Sequence, residues 1–100
     1  MTQKRVTIPK DELAAFCRRH HIRKLSLFGS VLRDDFGPDS DVDVLVEFAP
    51  EHVPGLIRLM GMQEELSQMI GRAVDLRTLG EISRYFRDRV LASAEVQYAA

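Results

Sequence analysis

One hundred residues, 45% of them apolar and 29% charged, suffice for one soluble domain around one core and leave no length for a second. The formal net charge of −1 gives no global pull toward nucleic acid or an anionic membrane. The longest mostly apolar stretch, residues 42–48, is interrupted by Asp43 and Glu47 and is too short to span a bilayer. The opening MTQKRVTIPKDEL has basic residues with no apolar run behind them, so it does not read as a secretory signal. A single cysteine cannot form an internal disulfide, which fits a reducing cytoplasm. Cys17 stands at helical spacing from Leu13 and beside Phe16, the pattern of a buried thiol rather than a nucleophile.

In chain order, Pro9 followed by Asp11 and Glu12 opens a helix on which Leu13, Phe16, Cys17 and His20 form one stripe. Residues 24–28 read as a short strand stopped by Gly29-Ser30, and a loop, DDFGPDS, separates them from a second strand at 41–48. Pro50 and Pro54 close that strand. Leu56, Leu59, Met60, Gln63, Leu66 and Ile70 then follow a helical period, with Gly71 as the stop. Residues 73–77 make a third strand. Thr78 with Glu81 is a capping-box signature for a last helix carrying Ile82, Tyr85, Phe86 and Val90, with Phe86 expected in the core. The alternation predicts a single α/β (α+β) domain over residues 1–100. Its sheet is small and mixed, of about three strands, with helices mainly on one face and carboxylates open on the other.

The chemistry is concentrated in GSVLRDDFGPDSDVDVLVEF, residues 29–48. In its strand Val42, Val44, Val46 and Phe48 share one face, and Asp41, Asp43, Leu45 and Glu47 share the other. Alternate strand residues lie about 6.7 Å apart and point the same way, so two carboxylates can converge on hard cations such as Mg²⁺. An aspartate where a turn meets a strand is common, so Asp41 alone says little. Asp43 says more, because aspartate is disfavoured inside a β-branched run. Gly29 and Ser30 sit directly after a strand, where glycine lets backbone N–H groups approach a phosphate and serine adds a donor. Arg33, three residues on, can face a polyphosphate or brace the loop through an aspartate. Glu47 lies about 13 Å along the strand from Asp43 and is left out of the site.

A strand, then Gly-Ser-x-x-Arg, a polar loop and Ser-Asp-x-Asp on the next strand resemble the signature of the DNA polymerase β-type nucleotidyltransferase superfamily. The match is closest to its minimal members, the MNT-domain antitoxins of prokaryotic toxin–antitoxin pairs. The matching positions are Gly29, Ser30, Arg33, Ser40, Asp41 and Asp43; the sequence departs at Leu32 and Asp34, where the minimal family usually has a small residue and a glycine. The resemblance implies a third carboxylate on a later strand, and Asp75, alternating with Val74 and Leu76, is the candidate. It further implies a site for two Mg²⁺ ions held by Asp41, Asp43 and Asp75. Gly29 and Ser30 would hold the triphosphate of ATP, with Arg33 and Ser40 in support. The implied reaction is adenylylation of a tyrosine on a HEPN-type ribonuclease toxin, in a hetero-oligomer with it.

The short chain argues against a polymerase, since no template-gripping domain fits, so nucleic acid is not the expected direct substrate. Aminoglycoside nucleotidyltransferases add a second domain for their acceptor, which also points to a protein acceptor here. The reading from another class is a non-catalytic antitoxin that masks its toxin and keeps a relic or nucleotide-sensing site. Intact Asp41, Asp43 and Asp75 favour the enzyme. Outside the motif, His20-His21 lacks a third partner at metal spacing and reads as a helix end facing the dipole. Lys10, Arg18, Arg19, Arg23 and Lys24 read as a solvated basic run. Arg84, Arg87 and Arg89 beside Tyr85 offer a partner-binding face.

Overall fold

A computed structural model describes residues 8–32, 37 and 40–100, with the backbone alone at Ser30. Helix α1 (Lys10–Arg19) starts at Pro9, carries Asp11 and Glu12 in its first turn and buries Leu13, Phe16 and Cys17. Burial pushes the Cys17 thiol up to about 12, so it is a neutral packing group, as its spacing predicts. His20 closes the helix. Its ring packs tilted against Phe16, with ring centres 4.7 Å apart, and its Nε2 lies 3.3 Å from Glu65. Arg19 pairs with the same carboxylate. Burial alone would raise the Glu65 pKa, but the hydrogen bonds from Arg19 and His20 outweigh it and hold the group below its usual range.

Strand β1 (Ile22–Phe28) begins two residues earlier than expected, and a 3-10 turn, Gly29–Leu32, follows it directly. Strand β2 (Val42–Phe48) pairs with β1 antiparallel. Helix α2 (Leu56–Ile70) runs from Gly55 to Gly71, whose φ of 77° provides the left-handed stop. It crosses over to strand β3 (Val74–Thr78), which lies parallel to β2. A parallel neighbour requires such a crossover. Helix α3 (Arg84–Ser93) and strand β4 (Glu95–Ala99) end the chain. The sheet order is β3-β2-β1-β4, one strand more than expected, because β4 returns to pair antiparallel with β1.

The core lies on one face of the sheet. Leu25 and Leu27 of β1, Val42, Val44 and Val46 of β2, and Val74 and Leu76 of β3 meet Leu13, Phe16 and Cys17 of α1 and Met62 and Leu66 of α2. The alternation read from β2 is thus the observed one, with all three valines fully buried. The opposite face is not open throughout, since Leu45 and Ser26 in its middle are also buried. After β3 the chain folds a 3-10 turn, Leu79–Glu81, against β2. The Thr78–Glu81 capping box exists but caps this turn; Ser83 caps α3 instead. Phe86 is not in the core. It is 55% exposed, and α3 buries none of its residues. No helix among the described residues is long and apolar enough to cross a membrane.

Candidate active site

The parallel register of β2 and β3 sets Asp43 directly beside Asp75, as it sets Val42 beside Val74. Register partners on neighbouring strands are about 4.8 Å apart and face the same way, so the two carboxylates stand side by side. Both are half-buried. Asp41 is exposed at the mouth of β2. The Val42 N–H just after it donates to the Ala73 carbonyl at 2.8 Å and so prolongs the ladder to that end.

Gly29 comes to this group from the β1 side, where its neighbour Phe28 is the register partner of Asp43. Its φ is +75°, and a Cβ at this position would lie 2.3 Å from Asp43 Oδ2. Only glycine lets the backbone lie against that carboxylate in this conformation. The backbone of Ser30 lies in the same 3-10 turn. Ser40 is spent locally: its Oγ accepts from the Gly37 N–H at 3.0 Å, and its own N–H donates to the Gly37 carbonyl at 3.1 Å. Arg33 and Asp34 lie outside the described residues.

The donor set fits a hard cation, because every group is a carboxylate oxygen and the glycine leaves a cradle above Asp43 that a side chain would fill. Among the described residues no group of three His, Cys, Asp or Glu side chains already converges on one point. Mg²⁺ needs no such cage, since it is held through one or two carboxylates with water and substrate phosphates completing its shell. Glu47 pairs in register with Lys24, toward the other end of β2.

The sequence model of the Nucleotidyltransferase domain family matches residues 10–96. The chain belongs to that family. A related protein, the protein adenylyltransferase MntA of Thermococcus cleftensis, is 38% identical over 71 residues, which span 71% of this chain and 67% of that protein. The fold is shared with a toxin–antitoxin crystal structure containing AMP-PNP, at a TM-score of 0.74 and 19% identity over 93% of this chain and 75% of that one. It is also shared with a Shewanella oneidensis complex of tri-AMPylated HEPN toxin and MNT antitoxin, at a TM-score of 0.66 and 18% identity, covering 91% of this chain and 70% of that one.

Two residues of this nucleotidyltransferase escaped the sequence reading. Arg77 donates from Nη2 to Asp75 Oδ2 at 3.1 Å. That hydrogen bond and the charge of Asp75, with smaller effects of Glu81 and then Asp43, hold its pKa above the usual arginine value. The pair is 45% and 34% exposed, so it says more about local charge than about stability. Strand alternation already places residue 77 on the face of residue 75, and that signal was present. Arg72 carried no such signal. It follows a helix stop and reads as a solvated turn, yet it reaches across to the loop before β2 and donates to the carbonyls of Gly37 and Ser40.

Proposed function

We propose that this nucleotidyltransferase is a Mg²⁺-dependent protein adenylyltransferase that moves AMP from ATP to a tyrosine of a cognate HEPN-type ribonuclease toxin, and so acts as its antitoxin in the cytoplasm. The observation that carries the reading is the Asp43–Asp75 register pair with Gly29 backed against it. The relatedness to MntA and the fold shared with AMPylated toxin–antitoxin assemblies support the choice of donor and acceptor. Asp41 and Asp43 would hold two Mg²⁺ ions, with Asp75 on the one nearer the acceptor. Bound there, the ions supply charge neutralisation at the attacking and leaving oxygens. The backbone at Gly29 and Ser30 would hold the triphosphate, Arg33 would brace its loop, and Ser40 shapes the turn that delivers Asp41. Asp75 takes the proton of the acceptor hydroxyl. The hydroxyl oxygen then bonds the α-phosphorus, the bond from that phosphorus to the bridging oxygen breaks, and pyrophosphate leaves.

The test is co-expression with the neighbouring reading frame, followed by intact-mass spectrometry of the partner. Wild type with ATP and Mg²⁺ adds whole AMP moieties to it. Asp41→Asn/Asp43→Asn binds the partner and adds none. If that double variant protects cells as well as wild type, masking by contact replaces adenylylation.

A further inference from the structure

The loop between the Gly29–Leu32 turn and β2 must bring the Ser40-Asp41 peptide to the head of the sheet. Asp41 itself lies before the first residue of β2, exposed. Two groups flanking it are fixed. The Val42 N–H behind it is tied to Ala73 at 2.8 Å, and the Ser40 carbonyl ahead of it accepts from Arg72 Nη2 at 2.9 Å. The same nitrogen donates to the Gly37 carbonyl at 2.7 Å. Gly37 and Ser40 also bond each other through the Ser40 N–H and Oγ. One charged nitrogen therefore bridges Gly37 and Ser40 and anchors both beside β3, the strand that carries Asp75. Charge-assisted bonds to carbonyls are about twice as strong as neutral ones, and the one to Ser40 orients the peptide plane from which Asp41 departs.

We infer that Arg72 is a positioning residue of the nucleotidyl-transfer site: its guanidinium clamps the Gly37 and Ser40 carbonyls together so that Asp41 meets the metal-bound nucleotide beside Asp43. This deepens the proposed function and rests on it for the identity of the ligand. A merely structural arginine would lower stability and leave nucleotide affinity alone. A clamp has a different signature. For these two bonds a lysine ammonium can supply donors to the same carbonyls, whereas methionine keeps the aliphatic stem and no donor. Two measurements separate the clamp from the assignment of function. In the nucleotide-free protein, hydrogen exchange at the Gly37, Ser40 and Val42 amides should quicken in Arg72→Met and return toward wild type in Arg72→Lys. In a Mg-ATP titration read by thermal shift, Arg72→Met should weaken apparent affinity about ten-fold and Arg72→Lys by no more than about three-fold. Unchanged exchange in Arg72→Met overturns the clamp whatever the nucleotide does. Faster exchange with unchanged Mg-ATP affinity overturns the positioning role. A wild type that ignores Mg-ATP while exchange responds sinks the functional assignment and, with it, the positioning role, but leaves the clamp itself standing as a loop anchor.

Discussion

Gly29 and Gly71 share a left-handed backbone, φ +75° and +77°, but only one of them has a neighbour in the way. A Cβ at 29 would meet the Asp43 carboxylate, while one at 71 would meet nothing within 4 Å. Alanine at either site pays roughly 1–2 kcal/mol of backbone strain, which for a domain of this size lowers Tm by about 4–8 °C per kcal/mol. Gly29→Ala must in addition push Asp43 aside. Both variants should therefore melt early, yet only Gly71→Ala should keep the upward shift given by Mg-ATP. A Gly29→Ala protein that responds to Mg-ATP as well as Gly71→Ala would detach the glycine from the carboxylate site. At this scale alternation and strand order account for Asp43 beside Asp75 and for Gly29 against Asp43, while Asp41 lies exposed just before β2. Arg72 carries no such signal, because its bonds to Gly37 and Ser40 reach more than thirty residues away in sequence.

Strand β3 is an edge, and an edge strand leaves alternate N–H groups unpaired. Helix α2 supplies the missing partners. Gln63 Oε1 accepts from the Leu76 N–H at 2.9 Å, and Ser67 Oγ accepts from the Val74 N–H at 3.0 Å. Gln63→Leu leaves the amide of buried Leu76 without that acceptor and should cost about 1–3 kcal/mol in urea unfolding. Gln68→Leu, on the exposed side of the same helix, should stay within about 0.5 kcal/mol. Equal effects would deny the bond its role. The helical period places Gln63 in one stripe with Leu56, Leu59, Met60, Leu66 and Ile70, and the structure buries only part of that stripe. Met62 and Leu66 are the residues α2 buries, whereas Leu56 and Met60 are 71% and 61% exposed. Fifteen helical residues span about 22 Å and five strand residues about 17 Å, so the first turn of α2, with Leu56, outruns the strand it leads to. Strand β4 went unread for another reason. Its sequence, EVQYA, follows α3 with no glycine, proline or asparagine between them, and as an edge strand it stays largely exposed.

Across the whole molecule, the helix that packs least is the one whose residue types best suit a partner. Tyr85 is 84% exposed, Phe86 55% and Leu91 41%, with Arg84 and Arg89 exposed beside them. Tyrosine and arginine are enriched among residues that dominate binding energy. The expectation that Phe86 belongs to the core assumed that α3 lies flat on the sheet; since it buries nothing there, Phe86 joins the candidate contact face. Tyr85→Ser/Phe86→Ser should consequently leave Tm close to wild type and preserve the response to Mg-ATP, because neither side chain supports the core or belongs to the carboxylate site. The same variant should lose co-purification with the proposed partner and, at dilute concentrations, the proposed transfer of AMP to it. A second exposed apolar patch, Val53, Leu56, Ile57 and Met60, competes for the same role from the start of α2. Leu56→Ser/Ile57→Ser is the matched comparison. If the complex survives Tyr85→Ser/Phe86→Ser and fails with Leu56→Ser/Ile57→Ser, the partner docks on α2 and the α3 assignment is wrong.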